Sequence, residues 1–467
     1  MFNRLARATS WSLALVVAAL ISVPANAQNV FRGMPSTADG YSTYDADMIN
    51  VENVTQTGAG VYVAVLDTGL APNWKDYFPE ARIAAHLGKG FVQSVSFKAH
   101  KDSCGFGITV GALRETTFVG SRGSEHGTHV TSTILGFFYR SNFDAASGFA
   151  IPPVMVRGIA PNVTVIPVKV LADYQVPQLP KCEDPEISQA SQTVVFGTDE
   201  MIAAGIDYVT DLAIAGYRPM VINMSLGGGA LAAVEQAALD RAIANGVIIV
   251  ASAGNSGDAG MGYPGAYAPV ISVAAAGWNN AWLDAGFTQI YRMFWLQNGG
   301  DFVPPLFAGG GEVAEPTPAN SNDILDGGVY IANFSSRELA GQHLDVAAPG
   351  VWIRGPFAGF PGYSHLPWWS NGIGDLVGRN PGNFYYVSGT SMAAPHVTAA
   401  AALMLEKNPA LTQAQVESIL KSTALPVPPG FGGDVRITDF FGDLQVWGAN
   451  ATGSGLIQVD AAIAATP

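Results

Sequence analysis

Short, unbroken apolar runs alternate along the chain with segments of helical periodicity. Residues 61–66 read VYVAVL, a continuous and largely β-branched run. Runs of this kind are typical of strands that are buried on both faces of a parallel sheet. The predicted strands cover residues 61–66, 163–171, 220–224, 247–252 and 270–276. The predicted helices cover residues 126–135, 199–215, 230–245 and 391–407, and a capping box of Thr412 with Gln415 predicts one more through Leu420.

Strands that alternate with helices indicate βαβ units with right-handed crossovers. The sequence therefore predicts the α/β class, with helices that flank a mostly parallel central sheet. In such a sheet, ligands bind beyond the carboxyl ends of the strands. Asp67, Ser225 with the glycines that follow it, and Asn255 all lie just past predicted strand ends. We expect these residues to gather at one edge of the sheet.

Three stretches do not follow the alternation, because they are irregular or rich in glycine, proline or aromatic residues. They cover residues 85–124, 278–330 and 354–383. We interpret them as surface loops inserted into a single domain that spans residues 45–467. Residues 28–44 then form a short extension before this domain.

The N-terminus has the pattern of a signal peptide. Arg4 and Arg7 precede an apolar run over residues 13–23, and Ala25-Asn26-Ala27 has the small-x-small form of a cleavage site. We predict a signal peptide over residues 1–27 and a secreted protein, with a periplasmic location as the alternative. The run is short for a membrane span of about 20 residues, and no later stretch has the pattern of one.

Composition and charge narrow the range of partners. Apolar residues make up 48% of the 467 residues, which is ample for a large core, and charged residues only 13%, which excludes a disordered or coiled-coil chain. The formal charge of −14 argues against nucleic acid or an anionic membrane as partner, since both attract Lys and Arg.

The two cysteines, Cys104 and Cys182, either form one disulfide between two irregular stretches or remain two free buried thiols.

A serine at a helix start is the first candidate for chemistry. Ser391 follows the turn at Gly389 and opens an apolar helix, where free N–H groups and the helix dipole favour negative charge. Acyl transfer by a serine needs a base and a group that orients the base. His126, at a helix start, and Asp67, at the end of a core strand, are the candidates. Each residue alone also has an ordinary explanation, as a cap, a packed side chain or a turn former.

The strings around these residues resemble those of a known family. The chain order Asp67, His126, Ser391 is that of subtilisin. VAVLDTG, HGTHV and SGTSMAAPHV resemble the aspartate, histidine and serine motifs of the subtilisin-like serine proteases, and ASAGNSG resembles their asparagine motif. By these four ordered motifs the chain is identified as a member of that family, peptidase S8. The resemblance covers residues 45–456 and implies a three-layer, subtilisin-like fold.

The resemblance also implies a role for each motif residue. Ser391 would attack the peptide carbonyl and form an acyl-enzyme, His126 would take up and return the proton, and Asp67 would orient His126. Asn255 and the backbone N–H of Ser391 would donate hydrogen bonds to the oxyanion. The expected activity is that of an exported serine endopeptidase, a monomer that acts on protein or peptide substrates.

Further residues resemble the substrate-binding part of the family. Ser225, Leu226 and Gly227 match the segment that pairs with the substrate backbone as an added strand, which implies broad specificity. A pocket floor left open at Gly262 implies that P1, the residue before the cleaved bond, is large and apolar or aromatic. Asp258 nearby leaves a basic P1 as the alternative. The residues that resemble the walls and floor of the P1 pocket are Leu226, Ala253, Gly254 and Gly262.

The chain departs from the family in two respects. Only residues 28–44 lie between the predicted signal peptide and the domain, so we expect no separately folded prodomain. The chemistry requires no cofactor, whereas a structural calcium ion is left open. The loop after the histidine helix, residues 136–160, is longer and more apolar than the family's calcium loop, with Asn142 and Asp144 as candidate ligands. Asp345 matches the acid of a weaker cation site.

The active-site residues argue against two alternatives to a subtilisin-type enzyme. A sedolisin-type acid peptidase has the same fold but uses a glutamate in place of the histidine. A catalytically inactive binding protein on the same scaffold would lack one or more of the active-site residues, and all four are present here. His129 and His396 are expected to pack inside their helices rather than to take part in the chemistry.

Overall fold

The structure is a computed structural model that describes residue 31 and residues 33–467 with ten gaps. The gaps are residues 121–123, 140–153, 184–191, 279–281, 286–287, 292–300, 304–310, 314–327, 358–383 and 436–442. The predicted signal peptide, Asn142 and Asp144, and most of the second and third predicted insertions therefore lie outside the described residues. Within them, no helix combines the length and the apolar character that a bilayer crossing needs.

Helices and strands alternate through most of the described chain. The helices are α1 (Tyr44–Asp47), α2 (Glu125–Leu135), α3 (Asp199–Ile214), α4 (Ala233–Ala244), α5 (Thr390–Lys407), α6 (Gln413–Thr423) and α7 (Val459–Ala465). Short 3-10 helices cover Val51–Asn53, Trp74–Asp76, Glu80–Arg82, Gly257–Ala259 and Ala449–Ala451. The strands are β1 (Tyr62–Asp67), β2 (Lys89–Ala99), β3 (Phe106–Thr116), β4 (Gly136–Tyr139), β5 (Val154–Arg157), β6 (Thr164–Lys169), β7 (Ala172–Val176), β8 (Gln192–Phe196), β9 (Met220–Met224), β10 (Ile248–Ser252), β11 (Ile271–Trp278), β12 (Trp282–Ala285), β13 (Thr288–Tyr291), β14 (Asp301–Val303), β15 (Gly311–Val313), β16 (Val329–Ile331), β17 (Val346–Pro349), β18 (Ile353–Pro356), β19 (Phe384–Val387), β20 (Gly430–Val435) and β21 (Asp443–Trp447).

A central sheet is built from nine of the strands in the described chain. Its order is β16-β11-β10-β9-β1-β6-β2-β3, and β17 also pairs with β11. All of its pairings are parallel except those of β11 with β16 and of β2 with β3. In the middle, Ala64 of β1 lies opposite Ile166 of β6 and Ile222 of β9. The predicted class, three-layer α/β with a mostly parallel sheet, is confirmed.

The alternation of side chains along β1 connects the sheet to two separate cores. Val63 and Val65 face the core that contains α2 and α5, and Ala64 and Leu66 face the core that contains α3 and α4. Because successive side chains of a strand point to opposite faces, a strand between two helical layers is apolar at every position. This explains the continuous apolar runs of the sequence, and the five predicted strands are observed as β1, β6, β9, β10 and β11.

The first predicted insertion, residues 85–124, is mostly a β-hairpin rather than a surface loop. β2 and β3 pair over 11 residues each, and the start of β2 joins the sheet beside β6. Phe91 at the start of β2 is buried, whereas Ile108 on β3 is 58% exposed. The prediction of a loop was wrong because a hairpin that projects into solvent has no continuous apolar run.

The hairpin is tied to the rest of the chain by a disulfide. Cys104 lies in the turn between β2 and β3 and is bonded to Cys182, with their Cα atoms 4.5 Å apart. Cys182 lies in the irregular stretch after β7. The bond therefore joins the tip of the hairpin to the segment that follows β7.

Residues before the first strand are fixed to the helix that follows Ser391. The Asp45 carboxylate lies 3.0 Å from Nε2 of His396, which is fully buried in α5. Nδ1 of the same ring lies 2.8 Å from the carbonyl oxygen of Met392. His129 is also fully buried, with its Nε2 3.0 Å from the carbonyl oxygen of Ile353. Both histidines thus pack inside their helices, as the sequence predicted.

The capping box predicted at Thr412 is present and gives a test of the fold. Thr412 Oγ1 accepts from the backbone N–H of Gln415, whose side chain accepts from the backbone N–H of Thr412. Thr412→Ala should lower the free energy of unfolding by about 1 kcal/mol, because a helix N–H loses its partner. Urea denaturation measures the change. Ser422→Ala, near the other end of the same helix, is the control, and an equal loss in both variants would contradict the prediction.

Candidate active site

A buried carboxylate and a histidine meet where β1 ends and α2 begins. The Asp67 side chain is fully buried, and its Oδ1 lies 2.8 Å from Nδ1 of His126. The same oxygen accepts from the backbone N–H of Thr68 at 2.6 Å. The Thr68 hydroxyl in turn accepts from the backbone N–H of Gly127 at 2.9 Å. These bonds fix the orientation of the imidazole relative to the strand.

Gly127 allows this close approach of α2 to the end of β1. A Cβ atom at this position would lie 2.4 Å from the carbonyl oxygen of Gly69, closer than real Cβ contacts occur. The glycine of the HGTH string is therefore required by packing. Any larger residue would separate His126 from Asp67.

Asp67 raises the pKa of His126 above the ordinary histidine value. Burial by itself lowers this pKa and is the largest influence, but the negative charge of Asp67 and its hydrogen bond outweigh it. The imidazole side chain keeps 18% of its surface exposed, so one edge of the ring remains open to the cavity. This arrangement suits a group that accepts a proton from the cavity side.

Ser391 lies at the start of α5, on the wall of the same cavity. The cavity has a volume of about 440 Å³, and its lining includes His126, Ser391 and Asn255. Ser391 Oγ donates to the carbonyl oxygen of Ser225 at 3.2 Å, and Ser225 Oγ donates to the carbonyl oxygen of Ser391 at 2.7 Å. Among the bonds of the described residues, none joins Ser391 Oγ to His126. Such bonds often form or tighten only when a substrate is bound.

Asn255 follows β10 and is oriented by its neighbour in α5. Its Oδ1 accepts from both the backbone N–H and the hydroxyl of Thr390, each at 2.9 Å. The Thr390 hydroxyl also accepts from the backbone N–H of Gly254 at 3.2 Å. The carbonyl end of the amide is thus occupied, and Nδ2 is left as the donor. Nδ2 and the backbone nitrogen of Ser391 each lie 3.7 Å from the point that a Cβ on Gly389 would take.

The predicted substrate segment forms one wall of the cavity. Ser225, Leu226 and Gly227 all line it, and the next residue, Gly228, pairs with Tyr263 through two backbone hydrogen bonds. A Cβ on Gly227 would meet no atom closer than 3.7 Å, so the backbone there is accessible. An extended peptide could therefore lie along this segment as an added strand.

The other three predicted pocket residues are not part of this wall. The cavity lining does not include Ala253, Gly254 or Gly262, and Ala253 is fully buried. A Cβ on Gly262 would lie 3.2 Å from the carbonyl oxygen of Gly228. The absence of a side chain at Gly262 thus lets two backbones pack closely, and an open pocket floor at this residue stays a prediction.

Asp345 does not have the surroundings of a cation ligand. Its Oδ2 accepts from the backbone N–H and the hydroxyl of Ser272, each at 2.9 Å, and its Oδ1 lies 2.9 Å from Nζ of Lys421. Both carboxylate oxygens therefore already have protein partners. The described residues include no cluster of three or more His, Cys, Asp or Glu side chains suited to a metal ion. The expectation of a cation at Asp345 finds no support in these contacts.

Sequence reasoning missed four carboxylate side chains that line the cavity. Burial, together with the negative charge of Asp173 for the first and of Asp199 for the second, raises the pKa of Glu125 and of Glu235 to about 7. Glu125 could have been noticed because it precedes His126, whereas the other three have no local signal in the sequence. The four are Glu125, Asp173, Asp199 and Glu235.

Comparison with known proteins decides the family. The family model described as Subtilase family, Peptidase_S8, matches residues 58–448. The chain belongs to the subtilase family. This subtilase is 29% identical over 378 residues to subtilisin DY of Bacillus licheniformis, across 80% of the chain and 87% of that protein.

Two further similarities differ in how much of the relative they cover. Subtilisin E of Bacillus subtilis (strain 168) is 28% identical over 372 residues, across 79% of the chain and 61% of that protein. The solved structure of sphericase has a TM-score of 0.49 and 23% identity, across 90% of the chain and 99% of its own. The predicted family is confirmed, and the chain is assigned to the serine endopeptidases of this family.

The protonation of His126 in this subtilase can be measured directly. We expect its NMR titration midpoint to lie above about 6.5, the ordinary histidine value, so that the neutral ring predominates only at higher pH. Asp67→Asn should lower the midpoint, because the negative charge that favours the protonated ring is removed while burial remains. Equal midpoints in the two proteins would contradict the assigned cause.

Proposed function

We propose that the chain is an exported serine endopeptidase that cleaves peptide bonds through an acyl-enzyme intermediate. The observation that carries the proposal is the hydrogen bond of Asp67 to His126 at the wall of the cavity that Ser391 and Asn255 also line. A base with an orienting carboxylate, a hydroxyl and an amide donor are the groups that serine acyl transfer requires.

The proposed reaction starts with Ser391 as nucleophile. As Ser391 Oγ attacks the carbonyl carbon, its proton passes to Nε2 of His126, since Nδ1 is held by Asp67. The imidazole becomes positively charged, and the buried Asp67 carboxylate stabilises that charge. His126 then gives the proton to the leaving amine. Water repeats the sequence on the acyl-enzyme and releases the second product.

The developing oxyanion would be stabilised by two donors near Gly389. Nδ2 of Asn255 is available because Thr390 occupies the other end of the amide. The second donor is the backbone N–H of Ser391, which stands at the start of α5, where the helix dipole also favours negative charge. Donors that are fixed before the reaction need no reorganisation as the charge forms.

The substrate would bind in extended form along residues 225–227. Main-chain pairing tolerates many sequences, so we propose broad specificity. The cavity that Ser391 lines also has apolar lining residues, including Leu226, Tyr263 and Phe357, which favour a large apolar or aromatic P1 side chain. Asp258 does not line the cavity and has Arg337 3.9 Å away, so it gives no reason to expect a basic P1. We propose export on the signal-peptide pattern of residues 1–27.

The nucleophile can be identified by chemical labelling. A serine-directed phosphonate should modify Ser391, and Ser391→Ala should abolish both labelling and peptide cleavage while the circular dichroism spectrum is retained. Peptide mapping identifies the modified residue. Heat-denatured protein is the control, because unfolding separates Ser391 from His126 and Asp67. Modification of another serine, or turnover by Ser391→Ala, would refute the mechanism.

The oxyanion donor has a separate kinetic signature. Asn255→Ala should reduce kcat by about 10²–10³ with a small change in KM, as measured for the corresponding donor of subtilisin itself. Steady-state hydrolysis of a chromogenic peptide measures both constants. A matched control is Asn245→Ala, at the end of α4, which lies outside the cavity lining. A loss in KM alone would show that Asn255 binds the ground state instead.

A further inference from the structure

The lining of the cavity is acidic. The side chains that line it include the four carboxylates named above, and no lysine or arginine is among the described lining residues. Asp199 opens α3, and Glu235 lies in the first turn of α4. Gly228, Gly229 and Ala230, which continue the substrate segment and precede α4, also line the cavity.

Glu235 is not an ordinary first-turn glutamate. Such residues usually face water or close a capping box, but here the N-cap is Ala232, without a side-chain bond. Glu235 is only 4% exposed, and its Oε1 has no hydrogen-bond partner among the described residues. A buried polar atom without a partner costs free energy. The cost would be recovered if a bound ligand supplied the hydrogen bond that Glu235 Oε1 lacks.

Lys169, a buried cation at the end of β6, is engaged elsewhere. Nζ of Lys169 donates to the carbonyl oxygens of Thr68 and Leu171, at 3.0 and 2.9 Å. Burial lowers the pKa of Lys169, and the charges of Asp173, Asp67 and Glu125 act against that decrease. Glu235 and Asp199 are not among the charges that influence the pKa of Lys169. Within the described chain, the charge that acts on Glu235 is the negative one of Asp199, and no positive charge opposes it.

The path of a bound peptide leads to this pair. Ser225 lies next to the nucleophile, with its carbonyl oxygen 3.2 Å from Ser391 Oγ, so P1 would lie beside it. In an antiparallel added strand, P3 lies beside Gly227, two residues further along. P4, the fourth residue before the cleaved bond, then lies at the cavity end formed by residues 228–230.

We propose that Glu235, with Asp199, forms an anionic subsite that selects a lysine or arginine at P4. The proposal rests on the proposed peptidase function and adds a substrate class to it. The aliphatic stem of such a side chain would pack against Ile202 and Leu226, which line the cavity, while its charged head reaches the carboxylates. The unpartnered Oε1 of Glu235 gains the donor that it lacks.

Matched peptides test the subsite. Three internally quenched peptides differ only at P4, with lysine, norleucine or glutamate. We expect kcat/KM for lysine to exceed that for norleucine by about tenfold or more, as for a charge-assisted hydrogen bond, and glutamate to be the poorest substrate. Glu235→Gln, which keeps the shape but removes the charge, should bring the lysine-to-norleucine ratio close to one. Asp199→Asn should reduce the ratio partly.

A control variant distinguishes binding at the subsite from a general effect of the protein's net charge. Asp240 lies on the same helix as Glu235, is exposed and does not line the cavity. Asp240→Asn removes the same charge from the protein and should leave the lysine-to-norleucine ratio unchanged. An equal fall of the ratio in Asp240→Asn and Glu235→Gln would overturn the proposal in favour of general electrostatic attraction.

The pH dependence of the ratio gives a second readout. Glu235 has a pKa of about 7, so its negative charge and the lysine preference should increase from pH 6 to pH 8. Protonation of His126 affects both peptides alike and cancels in the ratio. In Glu235→Gln the ratio should vary less with pH. The other titratable or charged groups that face this cavity or lie beneath it are Asp199, Asp173, Glu125 and Lys169.

The failure of this inference and the failure of the proposed function give different results. If the peptides are cleaved in a Ser391-dependent way with equal rates for lysine and norleucine, the subsite is refuted and the peptidase function stands. A lysine preference that persists in Glu235→Gln also refutes the subsite. If no peptide is cleaved, or if Ser391→Ala cleaves them equally well, the proposed function itself is wrong.

Discussion

The buried bond between Asp67 and His126 is the constraint around which the rest of the site is arranged. A fully buried carboxylate is stable only with close partners, and here Oδ1 has the Thr68 N–H and the imidazole, while Oδ2 has no partner among the described residues. This requirement fixes the start of α2 against the end of β1, at a separation that only a glycine at position 127 permits. Asn255, which follows β10, and Ser391, at the start of α5, line the same cavity as His126.

Much of this arrangement could be predicted from the sequence, because its signals are local. Strands packed between two helical layers must be apolar at every position, so residues 61–66 are recognisable without any knowledge of their neighbours. The capping box at Thr412 likewise needs only four residues. The parallel order of the strands then implies that residues after strand ends, such as Asp67 and Asn255, lie at the same edge.

The features that escaped prediction depend on contacts between distant segments. Glu235 is buried because α4 packs beside α3, and nothing in its own helix distinguishes it from a solvated glutamate. Gly262 lies close to Gly228 because its neighbour Tyr263 pairs with Gly228 through the backbone, a contact between segments that neither local sequence signals. Asp345 was predicted to match a cation ligand, but its carboxylate forms an ion pair with Lys421 of α6. Tertiary packing, rather than sequence pattern, determines the state of each.

Asp45 sets a limit on how far the chain can be shortened from its N-terminal side. Its carboxylate is the partner of His396, 351 residues away, in the helix that also carries Ser391. Proteolytic trimming past Asp45 would leave an imidazole nitrogen without a partner at a fully buried position, which costs more than the loss of a surface contact. An interior hydrogen bond therefore makes Asp45 part of the folded unit, well before the first strand at Tyr62.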